Sequence, residues 1–130
     1  MFATVFVLLY LGHLLADYPF QTDHQAAHKA DPGGRGWRAN LTHAATHIAA
    51  CGLALTAGAT ALDVTVSTPA AVAALVWIGS THAFIDRRWP VRWWMTRMRQ
   101  TAWAAHSGAA HVDQTAHILA LALAALALAI

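Results

Sequence analysis

LGHLLADYPFQ, residues 11–21, closes the first long apolar run of the chain and places His13 and Asp17 four residues apart within it. On a helix, residues i and i+4 lie one above the other on the same face. An imidazole and a carboxylate are costly to bury in an apolar segment unless they have partners. The chain offers partners by repeating the spacing three times: His43 with His47, His82 with Asp86, and Asp113 with His117.

The composition is typical of a membrane protein. Hydrophobic residues make up 58% of the 130 residues and charged residues 11%, whereas ordinary soluble domains carry about 25% charge. The lone Cys51 cannot form an intramolecular disulfide, and a single thiol does not build an iron–sulfur or cysteine-type zinc site. The length suffices for one domain, so we expect residues 1–130 to form a single integral membrane domain.

Four apolar segments predict an all-α fold, a four-transmembrane-helix up-down bundle. Segments of this size approach the roughly 30 Å hydrocarbon core of a bilayer at about 1.5 Å per residue. Asp31–Gly36 has the composition of a loop, and Thr68 followed by Pro69 is typical of an N-cap and a first helical turn. The predicted spans are about residues 2–18, 41–62, 69–86 and 112–130.

A basic, tryptophan-rich stretch between the third and fourth spans predicts an interfacial amphipathic helix at about residues 90–105. Its apolar positions, among them Val91, Trp94 and Met95, share one helical face, and Arg92 and Arg99 share the opposite face. Such a helix lies in the headgroup plane and is attracted to anionic lipids. The flanking spans argue against the alternative, nucleic-acid binding, so we expect the bilayer as partner and no nucleic acid.

The cations determine the expected orientation. All eight fall in the connections between spans one and two and between spans three and four, which emerge on the same side of an up-down bundle; they are Lys29, Arg35, Arg38, Arg87, Arg88, Arg92, Arg97 and Arg99. The positive-inside rule makes that side cytoplasmic. We therefore expect a multi-pass protein of the inner (cytoplasmic) membrane with both termini outside. Small residues in the second and fourth spans also allow a homodimer.

The antiparallel topology brings all four spaced pairs to one depth near the cytoplasmic face. Imidazoles and carboxylates on facing helices predict a metal site, with zinc the first candidate and manganese, iron, cobalt or nickel as alternatives. These eight side chains exceed the roughly four to six ligands that one ion takes. Either two ions bind, or some of the aspartates orient the ligating histidines instead of binding metal. The predicted ligands are His13, Asp17, His43, His47, His82, Asp86, Asp113 and His117.

Asp113 has a plainer alternative, since a carboxylate at the start of the fourth span would also cap a helix. The other two aspartates end their spans, where the helix dipole disfavours an anion and a cation must compensate; for Asp86 this could be Arg87 or Arg88. The remaining histidines are expected at the surface; they are His24, His28, His106 and His111.

Several motifs together resemble a known family. HLLADYPFQTD with Lys29, followed by THAATH, THAFID and DQTAH, is similar to the signature of the DUF3307 family of small bacterial and phage membrane proteins. The resemblance spans His13 to His117 and implies a four-span membrane protein, with no activity attached to it. THAFID also resembles, more distantly, the histidine-rich motifs of the YdjM-like membrane-bound metal-dependent hydrolases. Arg87–Ala105 matches no part of the family pattern.

Three functions remain open from the sequence. The first is a metal-dependent hydrolase acting on a phosphoester or lipid phosphate, with Asp113 or Asp17 as the catalytic base and Arg87, Arg88 and Lys29 binding the anion. The second is a metal or proton conduit or a metal sensor, although the outer half of the spans offers few polar groups. The third is a metal-stapled structural or interaction protein, such as a phage protein that modifies the host membrane.

Overall fold

The computed structural model describes residues 1–130 and contains helices and turns but no strands, so the all-α prediction is confirmed. Three helical stretches are long and apolar enough to cross a membrane, Gly33–Ala61, Thr68–Ile85 and Thr101–Ala129. The last of these includes a π-helical turn, Ala104–Gly108, with non-helical backbone at its kink. The helices are α1 (Phe2–Asp17), α2 (Asp23–His28), α3 (Gly33–Ala61), α4 (Thr68–Ile85), α5 (Trp89–Arg97), α6 (Thr101–Trp103) and α7 (Ala109–Ala129).

The apolar helices pack side by side: α1 contacts α3 and α7, and α4 contacts the same two helices. Between them lies a buried apolar core that includes Val5 and Leu9 of α1, Ile78 of α4 and Leu121 of α7. The outward faces are also apolar, with Leu53 71% exposed. Large apolar surfaces of this kind need a cover such as lipid or a partner.

The end of the helix assembly that carries α2 and α5 is called the basic end here, because all eight cations lie in or beside the connections there. At this end α1 and α4 terminate, and α3 and α7 begin. Gly12 sits near it at the α1–α3 contact: a Cβ added there would lie 2.9 Å from the Cα of Cys51. The absence of a side chain at Gly12 therefore lets α1 approach the backbone of α3, one residue before His13.

The starts of two helices differ from the sequence-based expectations. The loop expected at Asp31–Gly36 is shorter, because α3 begins at Gly33 directly after the extended Pro32. Ser67 rather than Thr68 is the N-cap of α4, and its side chain accepts a hydrogen bond from the backbone N–H of Ala70.

The basic stretch after α4 is divided rather than continuous. The helix expected at residues 90–105 ends at Arg97, and the backbone of Arg99 adopts a left-handed conformation with φ of 56°. Of the residues expected on its apolar face, Val91 and Met95 are buried within the protein, whereas Trp94 is 47% exposed. The left-handed turn re-aims the chain towards α7, which explains why the amphipathic pattern does not extend into one long helix.

Candidate metal centre

The four spaced pairs meet at the basic end, each from a different helix. α1 contributes His13 and Asp17, α3 contributes His43 and His47, the end of α4 contributes His82 and its C-cap Asp86, and the N-terminal half of α7 contributes Asp113 and His117. All five of these histidines are at most 3% exposed. The imidazole rings of His47 and His82 are 3.5 Å apart between centroids, and those of His82 and His117 are 4.2 Å apart. The structure thus brings together side chains up to about a hundred positions apart in sequence.

Asp17 lies at the centre of one half of this cluster. Its Oδ1 is 3.1 Å from Nε2 of His47 and 3.3 Å from Nε2 of His43, and its Oδ2 is 3.1 Å from Nε2 of His13. Potential ligand atoms of Asp17, His43, His47 and His82 all lie within 4.8 Å of one another. These four side chains are a donor set of the size that a tetrahedral ion requires.

Asp86 lies at the centre of the other half. Its Oδ2 is 3.1 Å from Nε2 of His82, and its Oδ1 is 3.8 Å from Nε2 of His117 and 3.0 Å from Nζ of Lys29. His82, Asp86 and His117 form a second group that could hold a metal ion. His82 belongs to both groups, so the two candidate positions are adjacent.

Several buried polar atoms of the cluster make no well-aligned hydrogen bond, although some of them lie 3.1–3.3 Å from a neighbouring group of the cluster. They include Nε2 of His13, both ring nitrogens of His43, Nε2 of His82 and Oδ2 of Asp86. An unsatisfied buried polar atom costs about 1–3 kcal/mol, and more if charged. Such atoms converging from separate helices fit a bound cation, because coordination would satisfy them together. The buried histidine and aspartate groups could therefore hold a metal ion.

His13 and Asp113 lie at the edges of the cluster. Nδ1 of His13 is 3.2 Å from Nδ1 of His47, and Oδ2 of Asp113 is 3.5 Å from Nε2 of His117. Neither residue belongs to the two compact groups. Asp113 is 26% exposed, whereas the side chain of Asp17 is 8% exposed. Asp113 also makes no N-cap hydrogen bond, since α7 has no side-chain cap.

The predicted anion-binding cations have different surroundings. The guanidinium of Arg87 donates to the backbone carbonyls of Lys29 and Asp31 and lies 4.6 Å from the centre of the Trp37 ring. It therefore ties the end of α4 to the connection between α2 and α3. The cation next to Asp86 is Lys29, not Arg87 or Arg88. Arg88 is exposed and has no ion pair.

The histidines expected at the surface lie outside the cluster. His24, His106 and His111 are exposed, and His28 is part-buried between Asp31 and Arg35. Asn40 was not predicted as a functional residue; it is fully buried and donates from Nδ2 to the carbonyl of Ala83, linking α3 to α4. Its position three residues before His43, on the same helical face, was the available signal.

Fold and site together define a helical protein with membrane-length helices and a buried histidine–aspartate cluster able to hold metal. The chain belongs to the DUF3307 family, described as a protein of unknown function, whose model matches residues 5–130. The resemblance seen in the motifs is thereby confirmed, and the match also covers Arg87–Ala105. No curated protein and no solved structure matches the chain, so neither comparison supports the distant resemblance to YdjM-like hydrolases.

Proposed function

We propose that this protein is a four-span protein of the inner membrane that binds one or two divalent cations at its basic end and uses them to hydrolyse a phosphoester. The observation that carries the proposal is the convergence of buried, partly unpartnered imidazoles and carboxylates from all four apolar helices. A membrane helix seldom carries such groups without a functional reason.

The proposed membrane arrangement takes residues 1–130 as one domain, with α1, α3, α4 and α7 as the spans. With 16 residues, α1 is about 24 Å long. Local thinning of the bilayer accommodates a short span at modest cost. The positive-inside rule puts the basic end in the cytoplasm and both termini outside. The exposed tryptophans of α5, Trp89, Trp93 and Trp94, then lie at the level of the headgroups.

The charges of the cluster support a divalent cation. Asp17, Asp86 and Asp113 contribute three carboxylates, and Lys29 contributes one ammonium. With neutral imidazoles, two formal negative charges are left, which one divalent ion would balance. Imidazole and carboxylate donors suit zinc, and also manganese, iron, cobalt or nickel. Because His82 belongs to both groups of potential ligands, the cluster could hold either one ion or two neighbouring ions.

Hydrolysis would divide roles between the two halves of the cluster. A bound divalent ion acts as a Lewis acid and lowers the pKa of a coordinated water towards about 7. Asp17, enclosed by three histidines, serves as a ligand. Asp113, nearer to solvent, takes the proton of the attacking water and returns it to the leaving alkoxide. The phosphorus–oxygen bond to the alcohol breaks, a bond to the water oxygen forms, and phosphate and alcohol are released.

Metal content tests the proposal first. The detergent-purified protein is expected to carry stoichiometric divalent metal by elemental analysis, and the variants His47→Ala and Asp86→Ala are expected to lose it. His24→Ala, an exposed histidine outside the cluster, is the matched control and should retain it. A metal-free wild-type protein with unchanged stability in both cluster variants would falsify the proposal. Metal-dependent release of phosphate from lipid phosphates then tests catalysis, with Asp113→Asn expected to lose activity while keeping metal.

A structural metal staple is the second candidate, because the group around Asp17 is almost fully buried, with side-chain exposures of 8% for Asp17 and 0% for His43 and His47. In that case chelation lowers the melting temperature, while no phosphoester is turned over. A conduit gains no support, because an apolar core fills the space between the helices beyond the cluster.

A further inference from the structure

A cavity of about 510 Å³ opens at the basic end beside the cluster. It lies between α2, α5 and α7, and Asp86 forms part of its wall, so a molecule inside it reaches the second metal-binding group directly. The enclosed group around Asp17 does not line it. The polar residues that line it are Gln21, Lys29, Asp86, Arg88, Arg92 and Asp113.

Two of the arginines in this wall have no side-chain partner. Arg88 and Arg92 form no ion pair and no side-chain hydrogen bond, whereas Lys29 is paired with Asp86 and Arg87 is bound to backbone carbonyls. Arg88 lies at the N-cap of α5 and Arg92 lies within the helix, and both line the same cavity. Two neighbouring guanidiniums match the oxygens of a phosphate dianion, for which arginine is well suited.

The backbone of Arg88 is held in an unfavourable conformation. Its φ is 61°, in the left-handed region, which costs a residue other than glycine about 1–2 kcal/mol. The turn that results places the residue between the end of α4, with its ligand Asp86, and the start of α5. It is therefore the backbone turn, rather than the sequence spacing, that brings the Arg88 side chain to the cavity wall.

An apolar groove of about 410 Å³ lies on the other side of α5. Phe84, Ile85, Trp94 and Leu119 are among the residues that line it, and Val91 belongs to the walls of both the groove and the cavity. Through Val91, which precedes Arg92, the hydrophobic groove therefore adjoins the cavity that the two free arginines line. This juxtaposition suits a phosphate attached to a hydrocarbon chain better than a small soluble phosphate.

We infer that the cavity binds a phosphate monoester group, held by Arg88 and Arg92, as the substrate end of a lipid phosphate. The inference rests on the proposed function, because the carboxylates of Asp86 and Asp113 face the same cavity and would repel a dianion without a cation bound between them. Binding is therefore expected to weaken when the metal is removed. Gln21, also in the wall, donates from its side-chain amide to the backbone carbonyl of Asp17.

The test uses a short-chain phosphonate analogue of phosphatidic acid, which cannot be hydrolysed at its carbon–phosphorus bond. Calorimetric titration of metal-loaded protein in detergent should detect saturable binding, and phosphatidylcholine of the same chain length should not bind. Arg88→Gln combined with Arg92→Gln should weaken binding at least about tenfold, given the strength of charge-assisted hydrogen bonds. Arg97→Gln removes the same charge from α5 but lines neither the cavity nor the groove, and should bind as the wild type does.

Metal content is measured on every sample, so the possible failures are distinguishable. A metal-free wild type overturns the proposed function. Two results would overturn the present inference alone: the metal-loaded wild type does not bind the phosphonate, or the Arg97→Gln variant loses as much affinity as the double variant. Inorganic phosphate that binds as tightly as the phosphonate, with the same dependence on Arg88 and Arg92, overturns the lipid source and identifies a soluble phosphate instead.

Discussion

Substituting Gly12 by alanine should separate α1 from α3 and weaken the metal centre. The added Cβ would lie 2.9 Å from the Cα of Cys51, 3.0 Å from its N and 3.0 Å from the carbonyl oxygen of Ala50. Ordinary carbon–carbon contacts begin near 3.5 Å, so α1 must move by at least about 0.6 Å. The atoms in the way belong to the α3 backbone and cannot rotate aside.

The expected magnitude follows from that rigidity. Overpacking of this kind costs about 1–3 kcal/mol, and a shift of α1 also withdraws His13 and Asp17 from the ligands on α3. We expect a lower melting temperature in detergent and a weaker affinity for metal. Gly34→Ala is the matched control, because a Cβ there meets nothing within 4 Å, and alanine at an exposed helical position is favoured by about 0.5–1 kcal/mol.

Both variants would be measured by thermal unfolding and by metal competition with a chromophoric chelator. The reasoning is refuted if Gly12→Ala unfolds and binds metal as Gly34→Ala does. Loss of stability with unchanged metal affinity would refute the link between the helix contact and the site, while leaving the packing argument intact.

Three further predictions concern the groups around the cluster. Lys29→Met removes the ammonium beside buried Asp86, so the metal-free protein should lose about 3–5 kcal/mol of unfolding free energy. Thermal unfolding with and without a chelator measures this: the loss should be much smaller when metal is bound, and equal losses in both conditions would contradict the prediction. Arg87→Ala strips the donors from the carbonyls of Lys29 and Asp31 and should cost about 1–3 kcal/mol without changing metal content, which denaturation and elemental analysis can check. Acidification should release metal, because protons compete with the ion for the ligand atoms as the pH falls; full retention after dialysis at acid pH would argue against histidine ligands.

The pairing of ligands could be predicted from the sequence because it depends on local periodicity. Residues four apart on a helix share a face whatever the helix packs against, so His43 and His47 had to point the same way. The apolar composition likewise required helices, since only a helix satisfies every backbone group of an isolated span in lipid. The ends of helices were less predictable: the glycines at residues 33, 34 and 36 suggested a loop, yet they belong to the first turn of α3.

The contacts across helices were decided by the tertiary structure. No spacing rule indicates that Lys29, on the turn after α2, pairs with Asp86 at the end of α4, or that Arg87 is instead bound to carbonyls. Those choices depend on the left-handed turn at Arg88 and on the way α2 packs on α3. The cavity wall formed by Arg88 and Arg92 has the same origin.

Local chemistry along the chain therefore determined which residues are paired and on which helices they lie. Only packing decided which pair contacts which, how far Asp17 is enclosed and where the cluster opens to a cavity. The physical reason is that helical periodicity is a property of neighbouring residues, whereas distances between helices depend on the side chains at each crossing, such as the missing one at Gly12.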